Sequence, residues 1–110
     1  MERKERKLLV YQTANGLRPF TEWLASLKDR QVRSRIEARI SRLALGNPGD
    51  YRMLDSGLFE LRIDWGPGYR VYCARMGDLI VLLLCGGDKT TQQKDIANAK
   101  ACLQDFKSRP

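Results

Sequence analysis

Gly57 to Lys89, GLFELRIDWGPGYRVYCARMGDLIVLLLCGGDK, decides the fold, because it reads as three consecutive strands joined by short turns. Leu58 to Ile63 alternates, with breaks, between apolar residues and the pair Glu60 and Arg62, the pattern of a half-buried strand. Asp64-Trp65-Gly66-Pro67-Gly68 supplies two glycines and a proline where the chain must reverse. Tyr69 to Met76 returns with Val71 and Cys73 on one face and Arg70 and Tyr72 on the other. Gly77-Asp78 reverses it again, and Leu79 to Cys85 is an apolar run bounded by Gly86-Gly87, as expected of a strand buried on both faces. One sheet then carries Arg62, Arg70, Tyr72 and Lys89 toward a common edge.

Outward from this core, Lys7 to Thr13 reads as a first strand closed by Asn15-Gly16, whose partner must come from later in the chain. Pro19 suits the first turn of a helix, and Phe20, Trp23, Leu24 and Leu27 give an amphipathic helix from about 19 to 27. Asp29 can cap a longer helix with Val32, Ile36, Ile40 and Leu43 as its apolar stripe and Arg30, Arg33, Arg35, Arg39 and Arg42 on the remaining surface; Gly46 and Pro48 stop it. Some of these arginines suit phosphate contact, while a solvated face laced with Glu37 is the plainer reading. Tyr51 to Leu54 reads as a short edge strand. Thr90 or Thr91 can cap a last helix with Ile96, Ala99, Leu103 and Phe106 on one face, fraying from Lys107 to Pro110. Strands in a run with helices grouped apart indicate an α+β fold: an antiparallel sheet of about 4–5 strands, two N-terminal helices and a C-terminal helix.

The 110 residues suit one domain, 1–110. Twenty Lys and Arg against thirteen Asp and Glu leave a net charge of +7, which favours a polyanionic partner such as nucleic acid. Cys73, Cys85 and Cys102 have no C-x-x-C spacing and read as buried reduced thiols. The charged start MERKERK precedes too short an apolar run for a signal peptide, and no run suits a membrane span, so a cytoplasmic protein without membrane association is expected.

The chain has no histidine, which removes the commonest general base and the commonest metal ligand together. Its carboxylates and cysteines show no ligand spacing, so neither metal nor cofactor is expected. Gly86-Gly87-Asp88-Lys89-Thr90 lacks the glycine pattern of a phosphate-binding P-loop, although a strand end, two glycines and a helix N-terminus suggest backbone N–H groups open to an anion. The fuller constellation is Arg62, Arg70, Tyr72 and Lys89. Arginine forks suit the charge that builds on a scissile phosphate when RNA is cut by its own 2′-hydroxyl, and Tyr72 or Lys89 would assist proton transfer. Tyr69, Tyr72 and Trp65 would alternatively stack on bases. Cross-strand pairing on a solvated sheet face is the structural alternative for the same residues, whereas Phe59 and Trp23 read as core.

ELRIDWGPGYRVY followed by LLLCGGDKTTQQKDIANA closely resembles the addiction-module killer proteins, a HigB-like branch of the RelE/ParE toxin superfamily of bacterial type II toxin–antitoxin systems. The resemblance spans nearly the whole chain, from PFTEWLASL through RLALGNPGDYRMLDSGLFELR to the last helix. It implies a RelE-like α+β fold, a cognate antitoxin as partner and, as in many relatives, metal-independent cleavage of mRNA on the ribosome. Arg70 matches the arginine of the family's G-Y-R segment, Arg62 that of its L-R segment, and Lys89 the lysine after the last strand. Tyr72 is a looser match. The implied catalytic set is Arg62, Arg70, Tyr72 and Lys89, with Tyr69, Trp65 and Lys94 contacting RNA. Thr90 and Ile96 stand where RelE has a second cation and a catalytic tyrosine, so RelE's general base does not carry over. ParE-like members attack gyrase instead, and a basic RNA-binding module that blocks translation without cleavage is a further alternative.

Overall fold

The computed structural model describes residues 4–109; Met1 to Arg3 of the charged start, and Pro110, lie outside the described residues. Nine elements follow in order: β1 (Lys7–Val10), α1 (Pro19–Ser26), α2 (Arg30–Ala44), β2 (Tyr51–Met53), β3 (Leu58–Ile63), β4 (Tyr69–Met76), β5 (Ile80–Asp88), a single 3₁₀ turn (Lys89–Thr91) and α3 (Gln92–Ser108). The α+β class and its grouping of elements agree with the pattern of the sequence.

The strands form one sheet in the order β1-β5-β4-β3-β2. Four of them, β2 to β5, are antiparallel neighbours, as short turns require. β1 instead lies parallel to β5, with Leu8 opposite Val81, so the sheet is mixed rather than wholly antiparallel. The two helices between β1 and the hairpins make the long crossover that parallel pairing needs.

Helices cover both faces of the sheet. On one side Phe20 of α1 and Val32, Ile36 and Leu43 of α2 pack on Phe59, Leu61, Val71, Cys73, Val81 and Leu83. On the other, Ala99 and Leu103 of α3 pack on Leu58, Tyr72, Ala74, Leu82 and Leu84. A bulge in β5 sets this alternation. Tyr72 faces Cys85 but Cys73 faces Leu83, which leaves Leu84 extra and puts Leu84 and Cys85 together under α3.

The helix termini follow local chemistry. Asp29 caps α2 by accepting from the Gln31 backbone N–H at 2.9 Å. Gly46 ends it at φ +92°, and a Cβ there would stand 2.4 Å from the Lys4 carbonyl oxygen. At α3 the expected threonine cap takes another form: Asp88 accepts from the Thr90 backbone N–H at 2.8 Å, and the Thr91 hydroxyl donates to Asp95 at 2.5 Å. α3 also stays helical through Lys107 and Ser108, where fraying was expected, and Arg109 Nη1 then donates to the Gln12 carbonyl at 2.7 Å. None of the helices is long and apolar enough to cross a membrane among the described residues.

Candidate functional site

The β3–β4 ladder places Arg62 directly opposite Arg70 and Glu60 directly opposite Tyr72. All four project to the side that α3 covers, because Leu58, Tyr72 and Ala74 of the same phase belong to its core. α3 begins only at Gln92, so the end of the sheet nearest the β3–β4 turn is left open. There Asp50, Arg62, Asp64, Gly68, Arg70 and Lys89 line a shallow depression of about 260 Å³. Gly68, at φ +82°, brings backbone between two cations: a Cβ on it would stand 3.5 Å from Arg70 Nη1 and 3.5 Å from Lys89 Cβ. Arg62, Arg70 and Lys89, separate in sequence, therefore converge as the strand reading expects.

Both arginines carry carboxylate partners. Arg62 donates through Nη2 and Nε to Asp50 at 2.8 and 3.2 Å in an exposed pair. Asp50 itself is fixed from α2, where Arg39 donates to the carbonyls of Arg62 at 2.5 Å and of Pro48 and Asp50 at 2.8 Å each. Arg39 is thus committed to this loop and is unavailable for phosphate. Arg70 is mostly covered, its side chain 13% exposed, with Nε 3.1 Å from Glu60 Oε2. The Nε–H is not aligned on that oxygen, so the attraction is between charges rather than a formed hydrogen bond.

Glu60 is wholly buried. An isolated buried carboxylate is strongly disfavoured, and this one is surrounded by donors. Arg52, its register partner on β2, donates at 3.1 Å, and Gln92 Nε2 donates to both oxygens at 3.1 Å. A polar row Arg52–Glu60–Tyr72 thus crosses three strands beneath the first turn of α3.

Tyr72 sits differently from the expectation of an accessible phenol. It is wholly buried, and its hydroxyl has no hydrogen-bond partner. Burial first, and then the negative charges of Glu60 and Asp95, raise its pKa well above the ordinary phenol value. As placed it neither stacks on a base nor exchanges a proton with the depression. Tyr72 does share the face of Arg70, but α3 closes over its part of that face.

The residues expected to touch RNA do not gather there either. Tyr69 points to the opposite face, its ring 6.4 Å from Trp23 of α1. Trp65 lies on the α2 side beneath the Arg35 guanidinium, 3.6 Å from the ring centroid. Lys94 is exposed on the first turn of α3 and is not part of the lining. Asp50, Asp64 and Gly68 are lining residues that the strand reading missed. Asp50 was within reach of it, since Tyr51 opposite Leu61 puts Asp50 beside Arg62.

The diglycine also differs from expectation. Gly86 and Gly87 lie inside the β4–β5 ladder, and helices close on both of them. A Cβ on Gly86 would meet the Trp23 ring at 2.2 Å, and one on Gly87 the Asp95 carboxylate at 1.8 Å. The pair serves close packing, not an anion-binding loop. Cys73 and Cys85 are core thiols, and burial pushes the Cys85 thiol up to about 12. Among the described residues no group of three His, Cys, Asp or Glu side chains is placed to hold a metal ion.

No family model matches the chain. A Haemophilus influenzae protein described as an uncharacterized protein is 51% identical over 87 residues, which cover 79% of this chain and 88% of that one. The chain belongs to the family of that protein. A matched stretch of this length necessarily runs through the central strands that carry Glu60, Arg62 and Arg70.

Proposed function

We propose that the chain is the toxin of a type II toxin–antitoxin system, a HigB-like member of the RelE/ParE superfamily. In this reading it is a cytoplasmic, metal-independent endoribonuclease that cuts ribosome-bound mRNA and so inhibits translation. The observation that carries the reading is the convergence of Arg62, Arg70 and Lys89 on one open depression that Gly68 also lines.

In the proposed reaction the ribose 2′-oxygen attacks the adjacent phosphorus and the bond to the 5′-oxygen breaks. A 2′,3′-cyclic phosphate and a 5′-hydroxyl result, the leaving 5′-oxygen taking its proton from the Lys89 ammonium or from water. Arg62 and Arg70 hold the phosphate oxygens as charge builds on them, and Lys89 adds a third positive charge. Because Tyr72 is sealed, the acceptors open to the 2′-hydroxyl proton are Asp50 and Asp64. Phosphate binding also has to compete with Asp50 for Arg62, so substrate entry exchanges one ion pair for another. The cognate antitoxin is the expected protein partner, binding through an acidic segment to this basic chain.

One observation favours the rival, a ParE-like toxin that binds gyrase: both arginines already have carboxylate partners within the chain. Primer extension on cellular mRNA after induction separates the two. The expected result is new 5′ ends within translated regions, formed by the purified protein in EDTA on free RNA as well if the ribosome is dispensable, and absent at sites with a 2′-deoxy sugar. Growth arrest without new 5′ ends rejects the nuclease.

A further inference from the structure

The basic face of α2 remains outside the depression just described. Arg30, Arg35 and Arg42 are exposed, and no carboxylate pairs with any of them among the described residues. Arg35, with Ala38, belongs to two adjoining depressions, one reaching back to Arg30 and the other forward to Arg42 and Trp65. Asp64, at the far wall of the second, also lines the candidate active site. Asp64 is thus the one lining residue that the α2 depression shares with that of Arg62, Arg70 and Lys89, and the two lie on opposite faces of the sheet, meeting at the end that carries the β3–β4 turn. At 1.5 Å per residue, Arg30 to Arg42 spans about 18 Å of helix.

We infer that this face of α2 is a second seat for the RNA backbone, continuous with the candidate active site around Asp64 and Trp65. Guanidiniums without a carboxylate partner suit phosphate, and that of Arg35 is held 3.6 Å from the centroid of the Trp65 ring, which fixes its place on this face. A protein partner fits less well. Among the described residues the large exposed apolar side chains are Val10, Leu17, Leu45, Met53 and Leu79, of which only Leu45, the residue that ends α2, adjoins this face. A protein interface needs an apolar centre, and a single leucine at one end of the arginine row does not supply it.

The inference rests on the chain's binding RNA, but it is read by binding alone, so failure of cleavage and failure of the α2 seat are separate results. The test measures affinity of the full chain for a mixed-sequence single-stranded RNA of twenty nucleotides across a range of salt, by fluorescence anisotropy. Each single-strand phosphate contact contributes about 0.7 to the slope of log K against log salt, so a triple Arg30→Ala, Arg35→Ala, Arg42→Ala variant should lower the slope by about 2. The triple lysine variant should recover most of it. If losing the Arg35–Trp65 contact unfolds the triple variant, Arg30→Ala with Arg42→Ala should still lower the slope by about 1.4. An unchanged slope in the folded variant overturns the inference. An equal loss of affinity for polyglutamate does so too, because α2 would then be a surface for acidic protein.

Discussion

Glu60 Oε2 lies 3.1 Å from Arg70 Nε, joining a wholly buried carboxylate to a cation that lines an open depression. A surface arginine would move freely. This one is drawn back against a carboxylate set diagonally across on β3, with Nη1 on the side of Gly68 and Lys89. Pairing with Glu60 at Nε is therefore compatible with the proposed phosphate contact at the other end of the side chain, where Nη1 donates to the Tyr69 carbonyl at 3.3 Å.

Arg70→Ala is accordingly expected to lower both activity and stability. Removing one preorganised charge-stabilising donor reduces the rate about 10²- to 10³-fold. The sequence suggests a guanidinium outside the core and near-native stability for this variant. The Glu60 contact changes that: the carboxylate keeps Arg52 and Gln92 but loses a neutralising charge, for about 1–3 kcal/mol. Arg70→Lys should restore stability more than rate, because an ammonium supplies charge without the planar fork. Thermal unfolding beside cleavage per folded molecule checks both, and a fully active, fully stable Arg70→Ala protein refutes them.

Gly86→Ala should destabilise by about 1–3 kcal/mol, as overpacking does, because its Cβ would enter the Trp23 ring at 2.2 Å. Gly87→Ala should cost less, since the obstructing Asp95 carboxylate ends a side chain that can turn aside. Urea unfolding of the two variants ranks them, and equal or reversed costs would contradict the packing.

Alkaline stability should depend on Tyr11. Its hydroxyl donates to Asp105 at 2.6 Å, and burial first, then that hydrogen bond, raises its pKa from 10.0 to about 12. A raised folded-state value means that the unfolded chain loses the proton first. The contribution is whole below pH 10.0 and is lost as pH rises through about 12. Tyr11→Phe should flatten the fall in stability over that window. It should leave in place the earlier part, set by the thiols that burial raises, Cys73 and Cys85 foremost. Urea midpoints measured from neutral pH to pH 12 provide the comparison, and an unchanged profile would remove Tyr11 from the account.

Local chemistry made much of this legible. Short glycine-rich turns fix β3, β4 and β5 as consecutive neighbours, and alternation then puts Arg62 and Arg70 on one side. The parallel seat of β1 on β5 was not legible, since its pairing depends on a crossover over two helices. Nor was the sealing of Tyr72, which depends on where α3 lies. A strand face reads as polar or apolar from its own residues, but exposure is decided by the element laid upon it. Gly86-Gly87 shows the same limit: the pair reads as a loop, and only Trp23 and Asp95 on opposite sides explain why both positions lack a side chain.

Tyr72 gives the sharpest test of the proposed chemistry. Its hydroxyl is buried without a partner, and a buried unmatched hydroxyl carries a desolvation cost that the fold does not recover. Tyr72→Phe removes that oxygen while leaving the ring that packs between β4 and α3, so stability should be unchanged or raised by up to about 1 kcal/mol. Cleavage should persist at close to the original rate, since no proton can pass between this phenol and the depression. Asp50→Asn and Asp64→Asn should instead slow the reaction, one of them by about 10²- to 10⁴-fold as loss of a general base does. Rates for all three variants, normalised to folded protein, decide the point. A stable Tyr72→Phe protein that has lost cleavage would mean that the ring leaves its core seat to reach the RNA, and would return the proton-transfer role to the phenol.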